Sequence, residues 1–543
     1  MHSMKQSGNL IVNTQTRTLY IPCETERALL ELLMDAGISE ISSPCGGNGL
    51  CGKCLVQVEG SDTSPVHDDE RRLLTPSQLK AGLRLACRMM VGPSCNLTIN
   101  LLNTEEDAQV VATFESGQST IEHDDAYEDE VYGCAIDIGT TTVVVYLVRL
   151  DTHQVVDHRS AMNRQRAYGG DVISRIQYAG EHAYGLRTLQ NSIVTQLDAM
   201  IAELLAHHKV SAEHLQTIVA VGNTTMIHLL VGADPAGIAC APFTPAFTEA
   251  KTLLAKELGF KTAGNAQLQL PGAVSAYVGS DITVGIQASP VMRPGKVVLY
   301  IDIGTNGEIV LWDGQRLHSC SSAAGPAFEG ASIRQGMGAV PGAIDRVWVT
   351  EEGEINHTTI GGKVATGICG SAIIDTMALL VDLGLVDETG AMDSNHADGA
   401  RYLVDSPDGS ALKITDTVAF TSRDVREVQL AKAAIAAGAD ILLMEAKVKP
   451  SDLDAVLIAG GFGSYINISN AQRIGLLPPI ARDKIVAVGN AAGKGALAVL
   501  MQQKAAKEVE RIRQNTHYIE LSTSMAFQER YVEHMMFAQE EQW

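Results

Sequence analysis

The sequence predicts an α/β protein in two parts, a small strand-rich module at the N-terminus and a much larger part built from two like halves. Three observations carry that expectation. The chain has 543 residues, more than one ordinary hydrophobic core serves. From residue 132 onward, apolar runs rich in Val and Ile alternate with helical stretches such as 183–208 and 426–447. Within that region one segment recurs, as CAIDIGTTTVVVYLV at 134–148 and LYIDIGTNGEIVLW at 299–312, with the copies 165 residues apart. Each copy reads as a buried strand, an Asp-x-Gly-Thr turn and a second strand, so two like-folded halves would face each other across a cleft.

Composition narrows the partners. A hydrophobic content of 45% and 50 glycines suit well-packed α/β domains with many tight turns. The formal charge of −22, from 41 basic and 63 acidic residues, argues against nucleic acid or an anionic membrane as partner. The opening MHSMKQSGNL has no apolar stretch of a signal peptide. No apolar run approaches the roughly 20 residues of a membrane span. The expectation is a soluble cytoplasmic protein.

The N-terminal module is expected over residues 1–103. Residues 9–22 read as a hairpin, and 24–36 as an amphipathic helix with Ala28, Leu29, Leu32 and Leu33 on one face. LVQVEG, LRLACRMMV and LTINLL read as three further strands. Between helix and strands lies PCGGNGLCGKC, with Cys45, Cys51 and Cys54, and LACR later adds Cys87. Thiolates hold iron, and the glycines let backbone fold tightly around an inorganic centre. The spacing Cys-x5-Cys-x2-Cys is one residue longer in the first gap than the plant-type ferredoxin pattern. Zinc is the competing metal, but zinc sites ordinarily show two Cys-x2-Cys pairs and this segment has one. With the element order, the pattern fits a β-grasp ferredoxin carrying a [2Fe–2S] cluster. The remaining cysteines, Cys23, Cys95, Cys134, Cys240, Cys320 and Cys369, are scattered and read as buried small hydrophobes. Residues 104–131 are acidic and turn-rich, and read as a linker ahead of a domain over 132–543.

The recurring turns carry the second chemistry. A hairpin with glycine at the bend brings N–H groups and threonine hydroxyls to a phosphate. An aspartate there makes sense through Mg²⁺ or its waters. Asp137 with Gly139, Thr140 and Thr141 would hold one side of the phosphates, and Asp302 with Gly304, Thr305 and Asn306 the other. One copy alone is better read as a plain tight turn; the pair is what points to phosphate. A third element, VLIAGGFGSY at 456–465, runs from a buried strand into Gly460, Gly461 and Gly463, where a flat adenosine could lie against backbone. VGNAAGKGA at 488–496 and GICGSA at 367–372 are similar glycine-rich joints, equally suited to close helix packing.

Together, these turns resemble the actin, sugar kinase and heat-shock chaperone superfamily. The whole chain, with its cysteine module, resembles the reductive activators of corrinoid proteins. Further stretches that carry the resemblance are NRQRAYGGDVISRI at 163–176, VGNTTMIHLL at 221–230, CSSAAGPAFEGASIRQGMGA at 320–339 and TSRDVREVQLAKAAI at 421–435. The resemblance implies a ferredoxin followed by a two-lobed actin-like ATPase, a duplicated RNase H-like domain. It implies a [2Fe–2S] cluster, ATP and Mg²⁺ as cofactors. The activity it implies is ATP-dependent reduction of an inactive Co(II) corrinoid protein, or corrinoid-dependent methyltransferase, to Co(I). An external low-potential donor would supply the electron, and a homodimer is among the expectations. Asn223, Thr224 and Thr225 would point into the cleft. Asp171 and Glu329 are candidates to orient the attacking water, although either could instead cap a helix or pair with an arginine. Arg426 and Lys432 would reach nucleotide or else line an exposed helix face. Phe527, Tyr531, Met535 and Met536 sit at helical spacing and suit core packing or a docking face. Two other readings stay open: an ATP-driven donor to another low-potential metalloenzyme such as a radical dehydratase, and a redox sensor that binds nucleotide without turnover.

Overall fold

In the computed structural model, the residues described are all but 1–7, 15–16, 24, 37, 39–40, 42–46, 48, 50–51, 61, 94, 103–129, 394–395, 397, 462–464 and 539–543. Cys45, Cys51 and Gly463, and nearly all of the expected linker, lie outside the described residues. The chain divides into two compact units, Met1–Asp107 with Met162–Gln196, and Ala108–Ala161 with Leu197–Trp543.

The first unit holds a five-stranded sheet in the order Thr18–Cys23, Gly8–Asn13, Asn96–Leu101, Leu55–Glu59, Leu83–Leu85. Its two central strands, Gly8–Asn13 and Asn96–Leu101, run parallel and the outer ones antiparallel. Alternation puts Leu10, Val12, Val56, Val58, Leu97 and Ile99 into the core, where Leu29 and Leu33 of helix Leu29–Asp35 join them. This is the expected β-grasp layout with one difference. LRLACRMMV is not one strand: Leu83–Leu85 and Met90–Val91 belong to different sheets. Between them the N–H groups of Arg88 and Met89 both reach back to the Leu85 carbonyl, and the resulting turn carries Cys87. A buried ion pair braces the module. Arg84 donates from Nε and Nη2 to the two oxygens of Glu70, at 2.8 and 2.9 Å. In the same unit Asp171 caps helix Val172–Glu181, accepting from the Ser174 N–H at 2.8 Å. Arg175 is fully buried with its Nε on the Gly169 carbonyl.

The second unit contains two six-stranded sheets of like topology. One runs Gln154–Met162 (Met162 itself falling in the first unit), Thr142–Arg149, Tyr132–Ile138, Leu215–Gly222, Gln267–Leu270, Lys251–Leu254. The other runs Ile485–Gly489, Ala455–Ala459, Val298–Ile303, Gly307–Trp312, Leu317–Ser322, Thr516–Tyr518. In each, an antiparallel hairpin is formed around an Asp-x-Gly-Thr turn, and its first strand pairs in parallel with a later strand. The repeat seen in the sequence is therefore a repeat of topology. Strands flanked on both faces read as continuous apolar runs, and Val143–Val148 is accordingly buried throughout.

Two helices lie beside these sheets, Ser280–Ala288 and Ala491–Met501, and they pack on one another. Their contact is backbone-close. A Cβ on Gly495 would lie 2.3 Å from the Val284 carbonyl oxygen, so only glycine fits there. The long helix Ser422–Ala446 is covered in part by the C-terminal helix Met525–Met535. Lys432 is buried in that contact, with Nζ on the carbonyls of His534 and Met536 and 4.6 Å from the centre of the Phe537 ring. It neither reaches for nucleotide nor lines an open face, while Arg426 is exposed. Phe527 and Tyr531 pack on the core, and Met536 is partly exposed. Among the described residues no helix is long and apolar enough to cross a membrane.

Candidate functional site

The second unit gathers four carboxylates from three separate segments. Asp137 ends the strand before the first turn, Asp302 ends the equivalent strand before the second, and Glu308 follows that second turn. Asp281 comes from the first turn of helix Ser280–Ala288. Burial is the main push on all four. It raises Asp137 to about 6, with the Asn490 amide, 3.0 Å away, pulling the other way. It raises Asp302 to about 7, assisted by the charge of Asp137 and opposed by the Tyr300 hydroxyl, which donates at 3.4 Å. It raises Asp281 to about 8, assisted by Asp302 and then Asp137. Glu308 is pushed well above the ordinary glutamate range, first by burial and then by Asp281 and Asp302. Carboxylates that raise one another's pKa lack a local counter-charge, and a divalent cation supplies one. The acids therefore suit Mg²⁺ held through its waters.

The two turns meet at one side chain. Glu329 accepts from the Thr141 hydroxyl at 2.5 Å and from the Thr305 hydroxyl at 2.8 Å. Both turns are closed by backbone bonds, Gly139 N–H to Thr142 at 2.9 Å and Gly304 N–H to Asn306 at 3.1 Å. Asn306 supports Glu308 through its side chain. Asn223 donates to the Thr140 hydroxyl at 2.9 Å and accepts from the Met226 N–H, so it joins the first turn to the helix Thr224–Val231. Thr224 faces elsewhere, donating to the Ser275 carbonyl at 2.6 Å, and Thr225 is buried. Gly460 has φ +97°, and a Cβ there would stand 2.7 Å from the Ile303 carbonyl oxygen and 3.0 Å from an Asp302 oxygen. The glycine turn thus lies directly against the second aspartate, and Gly461 after it is exposed.

The structure brings together Asp137, Thr140, Thr141, Asn223, Asp302, Thr305, Asn306, Glu329 and Gly460. Asp171 lies in the other compact unit as a helix cap. Asp281, Glu308 and Asn490 were missed by sequence reasoning. Asn490 sits in VGNAAGKGA, which was noted only for its glycines. For Asp281 the available signal was an acid just after Gly-Ser at a helix start, which is commonplace.

Cys54 and Cys87 are buried, and neither is in a disulfide. A Cβ on Gly47 would lie 3.8 Å from Cys87 Cβ, so Gly47 stands beside Cys87. Gly47, Gly49 and Gly52 all take positive φ, from 68° to 84°, as a loop wrapped tightly round a centre requires. Thiol donors on a glycine cradle fit an iron–sulfur cluster.

Comparison with known proteins agrees with both halves of this description. Residues 12–92 match the 2Fe-2S iron-sulfur cluster binding domain. Residues 132–293 match the RACo middle region, and 296–543 match the C-terminal domain of RACo, described as the ASKHA domain. The corrinoid activation enzyme RamQ of Eubacterium limosum is 36% identical over 424 residues, 76% of this chain and 71% of that protein. The chain belongs to the reductive activators of corrinoid proteins. A solved structure titled reductive activator for corrinoid,iron-sulfur protein is 30% identical with a TM-score of 0.70, covering 98% of each chain. The [Co(II) methylated amine-specific corrinoid protein] reductase of Methanosarcina barkeri is 24% identical over 74% of this chain and 76% of that protein.

Proposed function

We propose that this family member is an ATP-dependent reductive activator, which returns an inactive Co(II) corrinoid protein to Co(I) by delivering one electron. The observation that carries the reading is Glu329, whose single carboxylate bridges the threonines of both Asp-x-Gly-Thr turns. A group placed there senses whether a phosphate is present.

A cluster held by Cys45, Cys51, Cys54 and Cys87 supplies one-electron chemistry. A plant-type cluster has a potential near roughly −400 mV. Each further 100 mV of uphill one-electron transfer costs about 2.3 kcal/mol. Nucleotide drives such a transfer only by favouring one conformation over another. The hydroxyls of Thr141 and Thr305, which now donate to Glu329, would instead hold the phosphates of ATP and leave Glu329 free. Asp137, Asp302 and Asp281 would hold Mg²⁺ through its waters, and the ion would supply the counter-charge the phosphates need. Gly460 and Gly461 leave room for adenosine against backbone. The freed Glu329 carboxylate orients water at the terminal phosphate. The same reading has the protein reduced by an external low-potential donor in the cytoplasm, and acting as a homodimer.

The test is anaerobic mixing of the reduced protein with a Co(II) corrinoid protein, with and without MgATP, following the Co(I) absorption. The expected result is Co(I) formation with MgATP alone. Equal yield in both samples rejects the coupling.

A further inference from the structure

Arg88 directly follows the fourth cluster cysteine, and its side chain turns back onto the cysteine loop. Its Nη1 donates to the Gly47 carbonyl at 3.2 Å, and its Nε donates to an Asp69 oxygen at 2.8 Å. The guanidinium lies so close to Gly49 that a Cβ there would stand 2.3 Å from Arg88 Nε. Arg72 holds the same loop from a second point, donating from Nη2 to the Gly49 carbonyl at 3.3 Å and to the other Asp69 oxygen at 3.1 Å. Asp69 and Arg72 share the short helix Asp68–Leu73, which is fixed by a capping box between His67 and Glu70. Two guanidinium groups and one carboxylate therefore bear on Gly47 and Gly49, and the two arginine charges share the single carboxylate of Asp69.

We propose that Arg88 and Arg72, balanced by Asp69, set the reduction potential of the cluster held by this loop. Reduction adds one negative charge to a thiolate-bound centre. A fixed positive charge nearby favours the reduced form, and a fixed negative charge disfavours it. The arginines then ease loading of the cluster by the donor, and they enlarge the uphill step that nucleotide must drive. The inference rests on the cluster and not on the identity of the corrinoid partner. Neither residue is a ligand; both are positioning residues whose charge acts through the loop.

The experiment is an EPR-monitored redox titration of the full chain, after iron and acid-labile sulfide have been measured. Arg88→Gln and Arg72→Gln should each lower the reduced-to-oxidised ratio at fixed potential by three- to tenfold, about 30 to 60 mV for one electron. Asp69→Asn should move it the opposite way, and Arg88→Lys, which keeps the charge, should stay near wild type. Midpoints unchanged in all variants, or Asp69→Asn moving with Arg88→Gln, overturn the proposal. Should Arg88→Gln lose its iron, Arg72→Gln and Asp69→Asn still decide; loss of iron from all three overturns it in favour of a purely structural role. Absence of iron from the wild-type protein would instead sink the cluster reading itself.

Discussion

Replacing Asp281 with Asn should stabilise the nucleotide-free protein at pH 8 and do so by only about a third as much at pH 5. Burial and the charges of Asp302 and Asp137 raise the Asp281 pKa from 3.8 to about 8. A carboxyl whose folded pKa lies above its unfolded one binds its proton more tightly when folded. Its stabilising effect is complete at low pH and is lost as pH rises from the unfolded value toward the folded one. Roughly four pKa units at about 1.4 kcal/mol each give an upper bound of about 6 kcal/mol. Asp281 is partly open to solvent. Screening therefore brings the expected cost at pH 8 to about 2–3 kcal/mol. Asn cannot ionise, so Asp281→Asn should raise the midpoint of the nucleotide-domain transition by about 4–6 °C at pH 8. At pH 5 the folded carboxyl is neutral but the unfolded one, with a pKa of 3.8, is already ionised, so about a third of the gap remains, and the two proteins converge only as pH falls below 3.8. The assay is thermal unfolding at both pH values in EDTA, then with Mg²⁺. Added Mg²⁺ should stabilise wild type more at pH 8 than at pH 6, and the variant less at either. A stability gap between the two proteins that is the same at pH 5 and pH 8 would refute the reasoning.

Three more outcomes are expected. Glu329→Gln should bind MgATP but lower turnover on the order of 100-fold, read by phosphate release against nucleotide affinity; unchanged turnover removes Glu329 from the hydrolytic step. Gly460→Ala forces a side chain into a φ of +97° beside the Ile303 carbonyl. It should cost about 1–3 kcal/mol of stability in a denaturant titration and weaken nucleotide binding by calorimetry. Glu70 is pushed up by burial but pulled below the usual range by Arg84 and by the N–H groups of His67 and Leu85. Its contribution is therefore present above the ordinary glutamate pKa and is lost as pH falls through its depressed value. Glu70→Gln should destabilise the first unit by about 3 kcal/mol at pH 7, measured by loss of cluster absorbance on heating.

The elements that sequence reasoning placed correctly are those whose signal is local. Asp137 and Asp302 were found because each sits in a strand–turn–strand whose apolar runs and Gly-Thr bend fall within about fifteen consecutive residues. The spacing of Cys45, Cys51 and Cys54 is local in the same sense, and with the element order it favours iron over zinc chemistry. LRLACRMMV went wrong because its apolar residues hide a turn that exists to present Cys87, and periodicity registers the residues but not the bend. Lys432 was misjudged because a cation on a helix reads as exposed. Burial follows from the helix Met525–Met535 and the residues just after it: the carbonyl oxygens of His534 and Met536, with the Phe537 ring, compensate the charge although burial pushes its pKa down to about 7.

Residue order by itself determined the cysteine spacing, the pair of Asp-x-Gly-Thr turns, the duplication and the acidic character of this chain, since each is encoded in neighbouring side chains. Tertiary structure decided that Asp281 and Asn490 stand with Asp137 and Asp302, that Glu329 spans both turns, and that Arg88 and Arg72 rest on the cysteine loop. Those groups are dozens to hundreds of residues apart in sequence. Their approach depends on close backbone packing such as that at Gly495, and electrostatic coupling falls with distance in space, which no local pattern records.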